Sequence, residues 1–245
     1  MLDYWTADNC VKALFEAESC GINAFMAVAD PFIQRVILQY KNEGGKMHIM
    51  FQTYPPVDLD VNIVQMKKLN PIVVYHQGTT ADIWLEEGRV DYLRDRIKRL
   101  KAMGLPTGLA THVPEVMFRA EEEDWGLDFY MTSIYNMRKH HKEESTFLTG
   151  KEKTTIMYDE DRPFMLEAIR KVEKPCIVFK IFAGGQMFYD KGPEEIPGLV
   201  EDSMREVYSK IKPKDIVLVG VFQKMGNQIR ENAEIAARVL FHFSR

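Results

Sequence analysis

Residues 71–113 read PIVVYHQGTTADIWLEEGRVDYLRDRIKRLKAMGLPTGLATHV. An apolar run, PIVVYHQG (71–78), ends in a histidine. A loop-like stretch, GTTADIWLEEG (78–88), carries Trp84. Arg89 to Met103 then has helical periodicity, with Val90, Leu93, Ile97 and Leu100 in one stripe and Gly104 just past its end. A second apolar run, PTGLATHV (106–113), ends in another histidine. Strand, helix and strand at this spacing form a βαβ unit, whose strands are parallel.

The same alternation recurs along the chain. The other apolar runs are INAFMAVA (22–29), KMHIMFQT (46–53), LDFYMTSIY (127–135), PCIVFKIF (175–182) and DIVLVGVF (215–222). Seven such runs predict an α/β fold of the (β/α)8 barrel class that lacks its first strand. Residues 1–5 are too short to be that strand, and the chain opens on a helix from about Ala7 to Cys20, capped by Thr6 or Asp8. Strands 22–29 and 215–222 should therefore not pair with each other, and the open edge invites self-association. Asp30-Pro31, Asp58 or Asp60, Pro114 and Pro163 mark further helix starts, and Asn227 to Phe243 forms the last helix. Residues 137–160 and 183–198 read as long loops on the face where strands end. No linker shows a sustained composition shift, so residues 1–245 are expected to form a single domain.

Composition narrows the function classes. The 245 residues are 46% hydrophobic and 28% charged, with a formal net charge of −4, which suits a globular domain with a large core. Charges are interspersed, so a nucleic-acid partner is not expected. No apolar run approaches the ~20 residues of a membrane span. Cys10, Cys20 and Cys176 are odd in number and widely spaced, which fits a reducing cytoplasm rather than a disulfide framework or a zinc ribbon. MLDYWTADN has no basic n-region and no apolar h-region, so no signal peptide is expected.

Barrel enzymes place their chemistry at the carboxyl ends of the strands. The residues there are Asp30, Gln52, His76, His112, Tyr135, Asn136, Lys180 and Gln223. His76 is a candidate acid/base and His112 a second polar contact. Lys180 interrupts an otherwise apolar run, CIVFKIFAG, where a lysine is rarely buried without a partner. It is read as lying mid-strand, as a Schiff-base former or an anion anchor. Close histidines and burial should both lower its pKa. Asp30 suits a helix N-cap and catalysis at the same place. Gln52, Tyr135, Asn136 and Gln223 suit substrate orientation, and His140 and His141 suit a solvent-exposed loop. Asp30, His76 and His112 could also surround a catalytic zinc, since all three come from strand ends. There is no GxGxxG, Walker, HExxH or GxSxG motif.

The order of segments resembles the aldo/keto reductase barrel. GINAFMAVAD is similar to that family's second strand, IVVYHQG to the strand ending in its catalytic histidine (here His76), and DFYMTSIYN to its "D-x-x-Q-x-x-Y-N" strand. GVFQKMGNQIRENAEIA is similar to the segment that holds the adenosine end of NADP, with Gln228, Glu231 and Asn232 on its Gln, Glu and Asn. The resemblance implies NADP contacts at Gln228 and Asn232. The family's catalytic Tyr has no counterpart near DPFIQRVILQY, its Lys is replaced at the end of FQT, and its Ser-Asn pair is Thr111-His112. The chain is also similar to a group of uncharacterised bacterial barrels sharing "GIN", "THxPEV" and "FKI-x-A-x-G". The function expected is therefore a cytoplasmic barrel enzyme acting on a small polar carbonyl or sugar-like metabolite. Schiff-base or metal-dependent lyase or isomerase chemistry, and a catalytically inactive binding or sensor barrel, stay open beside it.

Overall fold

The structure, a computed structural model, describes residues 3–138, 157–224 and 226–243. Seven parallel strands lie in sequence order: β1 (Ala24–Val28), β2 (His48–Gln52), β3 (Val73–His76), β4 (Thr107–Thr111), β5 (Phe129–Ser133), β6 (Cys176–Phe179) and β7 (Ile216–Val217). Each falls inside one of the seven apolar runs. Register is regular: Phe51 pairs Val74, Val74 pairs Thr107 and Val178 pairs Val217. This is the α/β architecture of the (β/α)8 barrel class with seven strands, and β1 and β7 end the sheet. The strand expected over 215–222 shrinks to Ile216–Val217. It has one neighbour, β6; the ladder stops once the Leu218 N–H has bonded the Val178 carbonyl, and Ile216 and Val221 are exposed.

The helices among the described residues are α1 (Ala7–Ser19), α2 (Pro31–Asn42), α3 (Leu59–Lys67), α4 (Gly78–Glu86), α5 (Val90–Lys101), α6 (Pro114–Glu122), α7 (Asp161–Lys171), α8 (Ile196–Lys210) and α9 (Gln228–Phe243). Their starts follow local chemistry. The Thr6 hydroxyl accepts from the Asn9 N–H at 3.2 Å. Asp30 Oδ1 accepts from the Phe32 and Ile33 N–H groups at 2.8 and 3.0 Å, with Pro31 at the first helical position. Asp58 caps α3 in the same way. One expectation fails: residues 78–88 are not a loop, since most of them form α4. Gly78 admits the close approach that seats this helix, because a Cβ there would lie 3.1 Å from the Ala110 carbonyl carbon and the Thr111 nitrogen. The other long segment, 183–198, begins with a 3-10 turn at Ala183–Phe188 and runs into α8. Most of 137–160, with His140 and His141, lies outside the described residues.

The chain divides into two compact units, Met1–Gln77 with Asp91–Leu109 and Val221–Arg245, and Gly78–Val90 with Ala110–Gly220. In the first, Ile37, Ile49, Phe51, Leu59, Met66, Val74 and Leu100 make one apolar core. A second cluster joins Val11, Val36, Tyr40 and Met47 to Ile229 of α9. In the second unit β5 is buried along its whole length, and Val116, Met117, Ile169, Val178 and Val207 are among its buried apolar residues. Burial of this extent supplies roughly 25 cal/mol per Å² of apolar surface. Among the described residues no helix is long and apolar enough to cross a membrane.

Candidate functional site

The second unit brings three ionisable side chains into a line. His112 directly follows β4, Lys180 directly follows β6, and Asp82 lies in the second turn of α4. Asp82 Oδ2 stands 2.8 Å from His112 Nδ1. His112 Nε2 stands 2.8 Å from Lys180 Nζ. The Asp82 carboxylate is fully buried at 0% exposure, and His112 is 7% exposed. A buried carboxylate needs donors on both oxygens. Asp82 has them: the Thr111 hydroxyl at 2.6 Å, the His112 N–H at 3.2 and 3.3 Å, and the imidazole itself.

This order fixes the tautomer. A carboxylate only accepts, so His112 carries its proton on Nδ1 and turns the Nε2 lone pair toward the amine. Lys180 therefore donates to a neutral imidazole, and its amine also meets Met137 Sδ. The Phe179 ring packs edge-on against His112 at 5.8 Å between centroids, and Lys180 Nζ lies 5.1 Å from the centre of the same ring. Burial pushes the Lys180 pKa down from 10.5 to about 8, while the Asp82 charge acts in the opposite direction. The like-charge contribution expected from the histidines is absent among these causes; desolvation lowers the value.

Lys180 is not mid-strand. β6 ends at Phe179, and Lys180 takes a left-handed φ of 62°. Ala183, Gly184 and Gly185 follow with φ of 51°, 61° and 94°. The turn swings the amine across to the end of β4. Near this group, Arg138 forms a bidentate pair with Glu86, its Nε and Nη2 at 3.0 and 2.6 Å from the two carboxylate oxygens. That pair, and more weakly the Asp82 charge, raise the Arg138 pKa.

The remaining candidates have other surroundings. His76 belongs to the first unit and is buried. Its Nδ1–H donates to the Gln77 carbonyl at 3.0 Å, and Nε2 accepts from Arg96 Nε at 3.0 Å. Burial, then the Arg96 charge, push its pKa down to about 3, so it is a neutral acceptor for Arg96. Asp30 serves as the cap of α2. Gln52 ends β2, half-buried. The Tyr135 hydroxyl accepts from Arg162 Nη1 at 2.8 Å and donates to Asp159 Oδ1 at 3.1 Å. Asn136 Oδ1 accepts from the Arg138 N–H at 3.1 Å. Gln223 bonds Asn227 Oδ1 and the Ile229 N–H. Gln228 Oε1 accepts from the Phe222 N–H at 2.8 Å, and Asn232 is half-buried in α9. Among the described residues no group of three or more His, Cys, Asp or Glu is placed to hold a metal ion.

Asp82 is the site residue that sequence reading missed. Its stretch lacks an apolar period and opens on Gly-Thr-Thr, so it reads as a loop. Its lone signal is a carboxylate two residues before Trp84 in a stretch following a strand that ends in histidine.

No protein-family model matches the chain, and no curated protein sequence matches it. Solved structures do match its fold. A truncated 3-deoxy-D-arabino-heptulosonate 7-phosphate synthase from Thermotoga maritima superposes with a TM-score of 0.59 at 9% identity, over 98% of this chain and 82% of that one. The Yersinia pestis dihydropteroate synthase gives 0.59 at 11% identity, over 98% and 90%. The N-acetylmannosamine-6-phosphate 2-epimerase from Clostridium perfringens gives 0.52 at 12% identity, over 98% and 87%. At such identities the likeness establishes the barrel fold alone. The barrel part of the aldo/keto reductase resemblance holds, and these three structures lend that family no specific support.

Proposed function

We propose that the protein is an amine-catalysing barrel enzyme, in which Lys180 forms a Schiff base with a small carbonyl metabolite. The observation that carries this is the Asp82–His112–Lys180 line, with an amine whose pKa lies near 8 at the end of a relay oriented by a buried carboxylate. It has the logic of a nucleophile–histidine–aspartate triad with lysine as nucleophile. His112 Nε2 takes a proton from the Lys180 ammonium, and Asp82 stabilises the imidazolium. The neutral amine attacks the carbonyl carbon, the C–N bond forms, and the carbonyl π pair moves to oxygen. Proton transfer from nitrogen to that oxygen gives a carbinolamine. His112 then returns its proton to the hydroxyl, which leaves as water, and an iminium remains. The iminium draws electrons from the neighbouring carbon, which prepares it for lyase or isomerase chemistry. In this reading His112 has the acid/base duty first considered for His76. That the three superposed structures are named for sugar-phosphate and pterin chemistry fits a polar metabolite of this kind.

The test is borohydride reduction in the presence of pyruvate, dihydroxyacetone phosphate and ribose 5-phosphate in turn, followed by peptide mass spectrometry. A secondary-amine adduct confined to the Lys180 peptide, and lost in Lys180→Met and Lys180→Arg, is the expected result. Asp82→Asn should slow its formation about 10- to 100-fold, since the imidazole loses its orienting anion. Adducts spread over surface lysines, or none at Lys180, would overturn the proposal and leave a binding barrel. A relation to aldo/keto reductases, with Gln228 and Asn232 at the adenosine end of NADP, rests on the sequence motifs. A thermal-shift titration with NADP(H) to millimolar concentration tests it, and an unchanged midpoint removes hydride transfer.

A further inference from the structure

Lys180 holds a left-handed backbone conformation that its Cβ disfavours. Such a conformation persists only where its surroundings over-determine it. The carbonyls on both sides of the turn are all taken. The Phe179 carbonyl accepts from the Ile134 N–H at 3.3 Å, and the Lys180 carbonyl from the Ala183 N–H at 2.9 Å. The Ile181 carbonyl accepts from two side chains, Arg162 Nη1 at 3.0 Å and Ser203 Oγ at 2.8 Å.

Those two donors belong to one buried network. Arg162, 6% exposed, sits at the second position of α7, and Ser203 is on α8. Arg162 Nη2 donates to Ser203 Oγ at 3.2 Å, which leaves the Ser203 proton directed at Ile181. Arg162 Nε donates to Glu206 Oε2 at 2.9 Å, Nη2 donates to the same oxygen, and Nη1 reaches the Tyr135 hydroxyl at 2.8 Å. The guanidinium is thus tied to α8 through Glu206 and Ser203 and to the end of β5 through Tyr135. A planar fork with five donors suits this; an ammonium would not span these acceptors. We infer that Arg162 and Ser203 are positioning residues for Lys180: by pinning the Ile181 carbonyl they hold the left-handed turn that aims the amine at His112. Neither touches the amine. The inference rests on the proposed role of Lys180, and it makes a claim about the lysine's environment that stands apart from turnover.

The experiment reads Lys180 in two ways. Dinitrophenylation of the intact protein at pH 6 to 11, with the Lys180 peptide quantified by mass spectrometry, gives its apparent pKa without any substrate. Borohydride trapping with the three carbonyl probes gives its catalytic competence. Ser203→Ala removes one donor with little change of volume, and Ser203→Thr keeps the hydroxyl. Ser203→Ala should move the labelling pKa at least one unit toward the ordinary 10.5 and slow trapping about tenfold or more, while the urea midpoint of a folded sample changes little. Ser203→Thr should restore both readings. Arg162→Lys should resemble Ser203→Ala wherever it folds; since it perturbs a buried ion pair, Ser203→Ala carries the decision. An unchanged labelling pKa in folded Ser203→Ala overturns the inference. A low wild-type pKa that rises in Ser203→Ala, with no trapping in any sample, keeps the clamp and sinks the Schiff-base function.

Discussion

Replacing Lys180 by Met gives a stability change whose sign depends on pH. In the folded protein the amine has a pKa of about 8 against an ordinary 10.5. At ~1.4 kcal/mol per unit, keeping the proton on the buried amine costs at most about 3.5 kcal/mol, and its part-burial makes solvent screening reduce that figure. Below pH 8 both folded and unfolded chains hold the proton, so the whole penalty is present. Between pH 8 and 10.5 the unfolded chain binds more protons than the folded one, and stability rises with pH. Met has no such penalty at any pH, but it leaves His112 Nε2 without its donor, at a cost of ~1–2 kcal/mol. Lys180→Met should therefore be about 1 kcal/mol more stable than wild type near pH 7 and up to about 1 kcal/mol less stable near pH 10. Urea titrations of both proteins at pH 7, 8, 9 and 10 measure the difference directly. A difference that stays constant across this range would refute the claim that desolvation governs the amine.

His76 gives a second window of the same sign at lower pH. Its pKa falls from 6.5 to about 3 on folding, so its neutral form contributes stability that is complete above pH 6.5 and is lost as pH drops toward 3. His76→Gln should flatten the urea midpoint between pH 6.5 and 4.5 by up to ~1.4 kcal/mol per pH unit, and an unchanged slope would show that His76 does not titrate there. Gly78→Ala places a Cβ 3.1 Å from the backbone of β4, and that strand cannot yield as a side-chain tip could. It should cost about 1–3 kcal/mol in urea melts and reduce trapping at Lys180 by displacing Asp82; wild-type values of both would show that α4 has room to shift.

How much of this was legible depends on the range of the forces involved. Strand positions follow from runs of apolar residues, which need neighbours on both faces wherever they lie. The caps at Thr6, Asp30 and Asp58 are bonds within three residues, so the sequence carries them outright. His112 and Lys180 stood out because polar groups next to buried strands need partners. Other features required the fold. α4 forms where Gly78 lets the chain approach β4, and that contact gives Asp82 its place. His76 reads as a base until Arg96, 20 residues away, is seen to occupy its lone pair. Lysine does not favour the left-handed turn at Lys180; beyond the local bond from the Ala183 N–H to its carbonyl, the turn is held by Arg162 and Ser203 from two separate helices.

Periodicity and capping act over a few residues, so the amino-acid order alone carries the alternation of strand and helix, the parallel order and the starts of α1, α2 and α3. Which ionisable groups meet is set by long-range packing. Asp82, His112 and Lys180 are 30 and 68 residues apart, and hydrogen-bond distances of 2.8 Å between them are a property of the folded backbone, invisible to any local pattern.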